Sequence, residues 1–441
     1  MSLAIEQIMP NLHERLQQAQ PRPLRGRIRS IRGTLIHACV PGVSVGELCQ
    51  LADPANGRNL GAEVVGFDGD EAILAPIGSL EGLSTRTEIT ATGESPAVMV
   101  GDALLGRVVS PAGEWLDGPA LPPGGLLRYP LHAEPPPPFS RQLIEQPMSL
   151  GIRAIDGLLT VARGQRVGIF GAAGVGKSSL LAAILRRCQA DVVVIGLIGE
   201  RGREVRELLD VQLDSAARAR TVAVVATSDR PATERVKAAL VATAQAEYHR
   251  DQGRHVLLLL DSLTRFARAQ REIGLAVGEP PTRRGYPPSL FSALPRLLER
   301  SGPGARGSIT ALYTVLTEGD AEHDPVAEEV RSILDGHLVL SAELAQRDHF
   351  PAIDVLHSRS RLMGQVVEAE HRHLAGHLRR LMARYAEIEL LLRTGDYQPG
   401  SDALADEAIA RHGAIGDFLR QTPDELCGSD ETLRRLREVL A

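Results

Sequence analysis

A glycine-rich run at residues 171–179, GAAGVGKSS, combines residue types that bind phosphate. It matches the pattern GxxxxGK[ST], follows the apolar run RVGIF and leads into the helical stretch SLLAAILRR. In such a loop, backbone N–H groups bind phosphate oxygens at a helix N-terminus, where the helix dipole favours negative charge. The lysine reaches the β- and γ-phosphates, and the next hydroxyl ligates Mg²⁺. The run therefore predicts a nucleotide and Mg²⁺ site at Gly171, Ala172, Ala173, Gly174, Val175, Gly176, Lys177, Ser178 and Ser179.

Two carboxylates follow other apolar runs and extend this chemistry. Asp261 comes directly after VLLLL, and Glu200 comes two residues after VVVIGLI. A carboxylate at the C-terminal end of a parallel strand lies in the ligand crevice of an α/β sheet. We expect Asp261 and Ser178 to hold Mg²⁺ and Glu200 to orient the water that attacks the γ-phosphorus. The alternative for Glu200 is a capping or salt-bridging role in an arginine-rich turn.

Phosphoryl transfer also needs positive charge where the γ-phosphate develops charge. The 49 basic residues include only two lysines, Lys177 and Lys237, so arginines are abundant. Residue type alone does not choose among them. Arg201, next to Glu200, is either a member of the site or part of a structural ion pair with Glu204.

These residues need a parallel sheet to bring them together. Continuous apolar runs alternate with helical stretches, a pattern typical of strands that are covered on both faces. The predicted strands are RVGIF (166–170), VVVIGLI (192–198), TVAVVA (221–226), VLLLL (256–260), SITALYTVL (308–316) and HLVLS (337–341).

The regions on either side differ from this α/β core. Residues 1–20 have the apolar spacing of a short amphipathic helix, and residues 21–93 carry short β-type runs between Gly, Pro and Asp, which favour a small barrel. After about Pro351 the chain is predicted to be helical, with a long helix that ends at Gly395. We expect four parts: a helical segment (1–20), a β-barrel (21–93), an α/β nucleotide-binding domain (94–350) and a helical domain (351–441).

Composition excludes several classes of protein. The net charge is −6 and aromatic residues make up 3%, which argues against a protein that wraps or stacks nucleic acid. The four cysteines form no CxxC pair, so neither a zinc site nor a disulfide framework is predicted. No apolar run is long enough to span a membrane, and the N-terminus MSLAIEQIMP has no basic region. We therefore expect a soluble cytoplasmic protein.

Five stretches together resemble the ATPases of type III secretion systems, which are similar to the flagellar export ATPase and the catalytic subunit of rotary ATP synthases. The stretches are GAAGVGKS, GERGREV, LLLLDSLTRFARAQREIGLAVGEPPTRRGYPPSLFSALPRLLER, LYTVLTEGDAEHDPVAEEVRSILDGHLVLS and GDYQPGSDALADEAI. The resemblance covers residues 90–420. It implies an α/β fold: a RecA-like P-loop core, an N-terminal barrel and a C-terminal helical domain.

The resemblance also implies a function. It indicates a homohexameric ring that hydrolyses ATP with Mg²⁺, releases chaperones from secreted proteins, and unfolds and delivers those proteins. The implied partners are a stator or regulator protein, a central stalk, an inner-membrane export gate and chaperone–effector complexes, with no nucleic acid. The implied location is the cytoplasmic face of the inner membrane.

Residue roles transfer by position in the family motifs. Glu200 resembles the catalytic base, with Lys177 and Arg201 beside it, and Asp261 the Walker B acid. The segment PAIDVLHSRSRLM resembles the arginine-finger segment, which implies that Arg361 reaches a neighbouring subunit's nucleotide. Two departures stand out: Arg359 occupies a position where an apolar residue is expected, and Leu316 stands where the rotary subunits place an aromatic residue on adenine.

Three alternative functions share the same core. An RNA translocase resembling a transcription-termination helicase predicts a basic pore and RNA-stimulated turnover. A regulatory ring subunit binds nucleotide without hydrolysis and does not need Glu200. The flagellar export ATPase shares the chemistry, and the motif PPTRRGYPPS favours the non-flagellar branch.

Overall fold

The computed structural model describes residues 25–118, 124–317 and 324–441. The chain divides into two compact units, Met1–Pro96 and Ala97–Ala441. The helix expected for residues 1–20 lies outside the described residues.

The first unit contains a closed six-stranded barrel with the strand order β1-β2-β5-β4-β3-β6. Arginine and smaller residues alternate along the first strand, so that Ile28 is buried while Arg27 and Arg29 are exposed. The small barrel predicted from the short β-type runs is confirmed. Its strands are β1 (Arg25–Arg32), β2 (Leu35–Cys39), β3 (Leu48–Asp53), β4 (Arg58–Asp68), β5 (Glu71–Ile77) and β6 (Glu88–Ala91).

The second unit is built on a nine-stranded sheet with the order β19-β18-β12-β17-β15-β13-β14-β8, to which β16 adds beside β17. All pairs are parallel except β18 with β19 and β16 with β17. The sheet strands are β8 (Val108–Val109), β12 (Arg166–Gly171), β13 (Val192–Glu200), β14 (Thr221–Thr227), β15 (His255–Asp261), β16 (Gly302–Pro303), β17 (Ser308–Leu316), β18 (Gly336–Leu340) and β19 (Ile353–Ser360). Two small pairs are separate: β7 (Ala97–Val100) with β9 (Leu127–Pro130), and β10 (Pro147–Met148) with β11 (Val161–Ala162).

The central strands are apolar throughout because both faces of the sheet are covered. Along β13, Val193 and Ile195 pack into one hydrophobic core, whereas Val192 and Val194 pack into the other. Successive side chains of a strand point to opposite faces, so a doubly covered strand reads as an unbroken apolar run. All six strands predicted for the core are present.

Helices cover the sheet and form the C-terminal part. The described helices that flank the sheet are α1 (Arg153–Leu158), α2 (Lys177–Arg187), α3 (Gly202–Arg206), α4 (Ser215–Ala219), α5 (Ala232–Asp251), α6 (Leu263–Val277), α7 (Pro288–Glu299), α8 (Pro325–Ile333) and α9 (Ala342–Gln346). A π-helical turn covers Glu207–Gln212, and 3-10 turns cover Asp102–Leu104, Pro138–Ser140 and Arg283–Gly285. The last helices are α10 (Met363–Val366), α11 (Ala369–Thr394), α12 (Ala403–Leu419) and α13 (Ser429–Leu440).

The helical C-terminal region begins later in the chain than we expected from the sequence. Strand β19, at Ile353–Ser360, pairs with β18 and belongs to the main sheet, although we expected helical structure after residue 351. Its sequence IDVLHSRS lacks the long apolar run of the central strands because it lies at the sheet's edge and is partly exposed. The long helix predicted to end at Gly395 is confirmed as α11, with Gly395 in the left-handed conformation (φ 75°) at its C-cap.

Among the described residues, the structure contains no helix that is both long enough and apolar enough to cross a membrane.

Candidate active site

The loop predicted to bind phosphate connects β12 to α2. Gly176 precedes the helix with φ +84°, a left-handed conformation that glycine adopts without strain. A Cβ at Gly176 would lie 3.0 Å from the ring of Phe350, so glycine also allows this ring to pack against the loop. The first turn of α2 thus presents Lys177 and Ser178 directly after the loop.

The loop lines a cavity of about 490 Å³ at the C-terminal edge of the sheet. Seven of the nine predicted loop residues line it; Gly171 ends β12, and Val175 is 3% exposed and packs into the core. The remaining lining comes from β13, β15, α2, α6, the segment after β13 and the end of β17. Glu200, Arg201 and Asp261 all face this cavity, so the structure brings these three predicted site residues together with Lys177.

Lys177 and Asp261 form an ion pair at the cavity floor. The Nζ of Lys177 lies 2.5 Å from Oδ1 of Asp261. The same carboxylate oxygen accepts a hydrogen bond of 2.6 Å from the hydroxyl of Thr314, a buried residue of β17. Asp261 ends β15 and is 5% exposed, so its charge is balanced by these two donors.

Glu200 ends β13 and is paired with Arg265, which lies in the first turn of α6. The Nε–Oε1 and Nη2–Oε2 distances are 3.0 and 3.4 Å, an arrangement in which one guanidinium binds both carboxylate oxygens. Burial raises the pKa of Glu200, and the charge of Asp261 raises it further, while Lys177 and Arg265 lower it. A carboxyl with a raised pKa is better suited to accept a proton near neutral pH.

Arg201 lies at the solvent side of the cavity. Its guanidinium is 3.3 Å from Glu204, and its side chain is 73% exposed. The π-helical turn Glu207–Gln212 follows shortly after and contributes Leu208 to the lining. Such turns occur frequently at functional sites.

Arg361 and Arg359 are not part of the cavity lining. Both are exposed, and Ser360 between them points inward, where its hydroxyl donates to the carbonyl oxygen of Thr160 at 2.8 Å. Arg359 is the residue of β19 before Ser360, which ends the strand at the edge of the sheet, and Arg361 follows directly after it. Within the described part of the chain, neither guanidinium has a carboxylate partner.

Leu316 lines the cavity at the end of β17, where its N–H donates to Thr264 at 2.8 Å. An aromatic ring lies beside the loop at a different position: it belongs to Phe350, which is 38% exposed.

Reasoning from the sequence missed three residues: Phe350, Arg265 and Thr314. Arg265 was detectable from its place in the first turn after the strand that ends in Asp261, whereas no local pattern marks Thr314 or Phe350.

The donors present fit a magnesium ion. Ser178 offers a hydroxyl and Asp261 a carboxylate, and Mg²⁺ in nucleotide sites is bound by one or two such oxygens, waters and substrate phosphates. The described residues contain no group of three or more His, Cys, Asp or Glu side chains that would form a cage made of protein alone.

Family models match three stretches of the chain. Residues 151–360 match the nucleotide-binding domain of the ATP synthase alpha/beta family, and residues 28–93 match its beta-barrel domain. Residues 367–438 match the T3SS EscN ATPase C-terminal domain.

The chain is similar to proteins of known name over nearly its whole length. It is 53% identical to the type 3 secretion system ATPase of Sinorhizobium fredii, over 97% of this chain and 95% of that protein. It is 46% identical to the flagellum-specific ATP synthase of Bacillus subtilis, over 94% of each.

Two solved structures are close in fold. The assembled ATPase EscN from the enteropathogenic E. coli type III secretion system matches with a TM-score of 0.89 and 48% identity, over 94% of this chain and 100% of that chain. The structure of assembled EscN with its central stalk EscO matches with a TM-score of 0.87 and 47% identity, over the same shares.

Proposed function

The chain belongs to the type 3 secretion system ATPase family, and we propose that it works as a homohexameric ring that hydrolyses Mg²⁺-ATP to energise protein export. The observation that carries the proposal is the convergence of Lys177, Asp261 and Glu200 on one cavity behind a phosphate-binding loop. The relatives at 52–55% identity are type 3 secretion system ATPases, whereas those at 46–47% include both type 3 secretion and flagellum-specific proteins, so the higher identities favour export of secreted rather than flagellar proteins.

Nucleotide binding rearranges the ion pair at the cavity floor. The ammonium of Lys177 turns from Asp261 to the β- and γ-phosphates, because phosphate oxygens carry more negative charge than a single carboxylate. The loop's backbone N–H groups bind the phosphates at the start of α2. Ser178 and Asp261 would hold Mg²⁺, which would neutralise phosphate charge.

Glu200 acts as the general base. It orients a water molecule in line with the γ-phosphorus and accepts its proton as the P–O bond to ADP breaks. Arg265 fixes the carboxylate by binding both of its oxygens. Arg201 lies close enough to Glu200 along the chain to swing towards the phosphates from its exposed position.

Arg361 completes the site of a neighbouring subunit. It is exposed, has no carboxylate partner among the described residues and lies outside its own chain's cavity. An unpaired guanidinium at a subunit edge is suited to stabilise charge on a γ-phosphate supplied by another chain. The similar structure of EscN is that of an assembled ATPase, which supports a site shared between subunits.

Phe350 supplies an aromatic face beside the loop and is our candidate for packing against the base of the nucleotide. Its ring is partly exposed and lies against the turn at Gly176. Leu316 lines the cavity beside Thr264, on the helix that follows Asp261, but it is a weaker candidate for this role because its side chain is not aromatic.

We propose partners of the same kinds as those of the family. EscN was solved in complex with its central stalk, EscO, and a stalk of this type is the first partner we expect for the ring. A stator or regulator protein, an inner-membrane export gate and chaperone–effector complexes complete the proposed set. They place the ring at the cytoplasmic face of the inner membrane.

Mixed rings test the shared site directly. Lys177→Ala removes tight nucleotide binding, and Arg361→Ala removes the contribution to the neighbour. Each variant alone is expected to be inactive, whereas a mixture regains part of the wild-type rate, because a Lys177→Ala subunit still offers Arg361 to an intact nucleotide site. ATP hydrolysis measured against mixing ratio should peak at an intermediate ratio. A mixture as inactive as its components, with ring assembly verified by sizing, would contradict the trans role of Arg361.

A further inference from the structure

The carboxylate of Asp261 is held by two different kinds of donor. Its Oδ1 accepts from the ammonium of Lys177 at 2.5 Å and from the hydroxyl of Thr314 at 2.6 Å. Lys177 is on the helix that follows the phosphate-binding loop, and Thr314 is on a central strand of the sheet. One donor can therefore move when nucleotide arrives, and the other is fixed in the core.

Thr314 is positioned by the register of two parallel strands. Leu260 of β15 pairs with Tyr313 of β17, so the next residues, Asp261 and Thr314, are also neighbours across the sheet. The hydroxyl has one proton, and its other acceptor, the carbonyl oxygen of Leu260, is 3.3 Å away. The much shorter distance to Asp261 indicates that the proton is donated to the carboxylate.

Thr314 is completely buried, so its hydroxyl reaches Asp261 from the core side and not from the cavity. A carboxylate that is 5% exposed needs hydrogen-bond donors, because a buried charge without them costs the desolvation free energy of a charged acceptor. While Lys177 remains in place, Oδ1 of Asp261 accepts from two donors. When Lys177 turns to the phosphates, Thr314 is the remaining donor among the described contacts of that oxygen.

We propose that Thr314 is a positioning residue for Asp261: it keeps the carboxylate in the orientation that binds the metal–nucleotide complex after Lys177 has left. This inference rests on the proposed function, in which Asp261 serves Mg²⁺. It assigns a role in hydrolysis to a residue that does not itself line the cavity. Thr314 therefore affects the metal-dependent step and not the binding of phosphate by the loop.

The test compares Thr314→Val, which keeps the shape and removes the hydroxyl, with Thr314→Ser, which keeps the hydroxyl. For Thr314→Val we expect kcat to fall roughly ten- to a hundredfold, the loss that corresponds to one hydrogen bond to a charged group. We also expect the Mg²⁺ concentration for half-maximal rate to rise. Binding of a fluorescent ATP analogue in EDTA should stay within about twofold of wild type. Thr314→Ser should restore both the rate and the Mg²⁺ response.

Thr310→Val is the matched control, because Thr310 is on the same strand, is similarly buried and accepts from the N–H of Gly164 far from the carboxylates. It should lower the unfolding temperature without changing the Mg²⁺ response. The inference is overturned if Thr314→Val behaves as Thr310→Val does, with normal kcat and Mg²⁺ response per folded molecule. It is also overturned if Thr314→Ser fails to restore the rate. Failure of wild type to hydrolyse Mg²⁺-ATP at any ring concentration would instead contradict the proposed function.

Discussion

Charged pairs with a buried carboxylate lie at both edges that the strand ends of the nine-stranded sheet form, one at the N-terminal ends and one at the C-terminal ends. The two pairs differ in whether a ligand can reach them. At the edge formed by the strands' N-terminal ends, Arg300 binds Glu247 with distances of 2.9 and 2.6 Å, and its third nitrogen donates to the carbonyl oxygen of Leu131. Arg300 is 2% exposed and Glu247 is 1% exposed. At the other edge, Lys177 and Asp261 form a pair whose partners both line an open cavity.

The difference shows how the same kind of interaction serves stability or function. In the pair of Glu247 and Arg300, each group has a partner that no ligand can reach, and we call this the closed edge. The pair of Lys177 and Asp261 lines an open cavity, where in our proposal phosphate and metal replace the partners, and we call this the open edge. We therefore expect substitutions at the closed edge to change stability and substitutions at the open edge to change binding or rate.

The largest effect on ligand affinity should come from Lys177→Ala. Loss of the ammonium removes a charge-assisted contact to phosphate, and we expect nucleotide binding to weaken by about a hundredfold or more. Titration with a fluorescent nucleotide measures this. The matched control is Lys237→Ala, which removes the other lysine of the chain and should bind as wild type does. If Lys177→Ala and Lys237→Ala bind nucleotide with equal affinity, the distinction between the two edges is contradicted.

The closed edge should give the largest effect on stability. Arg300→Met leaves the carboxylate of Glu247 buried without its partner, which is expected to cost about 3–5 kcal/mol. Urea unfolding monitored by far-UV circular dichroism measures the loss. The double variant Glu247→Leu with Arg300→Met should recover much of it, because no unpaired charge remains. A loss of nucleotide affinity in the folded fraction of Arg300→Met would contradict the separation of roles.

Arg265→Gln should change both the rate and its pH dependence. Arg265 lowers the pKa of Glu200, so its removal should raise that pKa above its already elevated position. The base form is the deprotonated one, so activity lost on acidification should be lost at a higher pH in the variant. We expect kcat to fall about tenfold or more as the carboxylate also loses its orientation. The measurement is kcat from acidic to neutral pH. If kcat falls on acidification at the same pH in the variant and in wild type, the assignment is contradicted.

A smaller effect is expected at the rim of the cavity. Arg201 is 73% exposed, and its pair with Glu204 should contribute less than about 1 kcal/mol to stability. Arg201→Ala should therefore unfold at the wild-type temperature while its kcat falls about tenfold. Arg203→Ala, which removes an exposed neighbouring arginine, should leave kcat unchanged. If the two variants have the same rate, Arg201 is a surface residue only.

Much of the fold and part of the site could be predicted because the signals are local. Lys177 and Ser178 stand in one continuous motif, and Glu200 and Asp261 each follow an apolar run, so the ends of parallel strands bring them together. The extent of β19 was missed because an edge strand with a polar sequence does not show the apolar pattern of a buried one.

The contacts that join distant segments could not be predicted. Thr314 reaches Asp261 only because β15 and β17, which are not consecutive, pair in one register. Glu247 lies on α5 and Arg300 directly after α7, and they share no spacing pattern. Phe350 reaches Gly176 through the packing of the segment before β19 on the loop. Each contact depends on tertiary packing, which no short motif records.

Hydrolysis and nucleotide binding by Glu200→Gln provide the most direct test of the catalytic assignment. Glutamine keeps the size of the side chain and an oxygen for Arg265 but cannot accept the proton of the attacking water at neutral pH. We predict that the variant binds ATP as tightly as wild type and that its kcat falls by at least about a thousandfold. Turnover at the wild-type rate would contradict Glu200 as the base and, with it, the assignment of the open edge as the catalytic site.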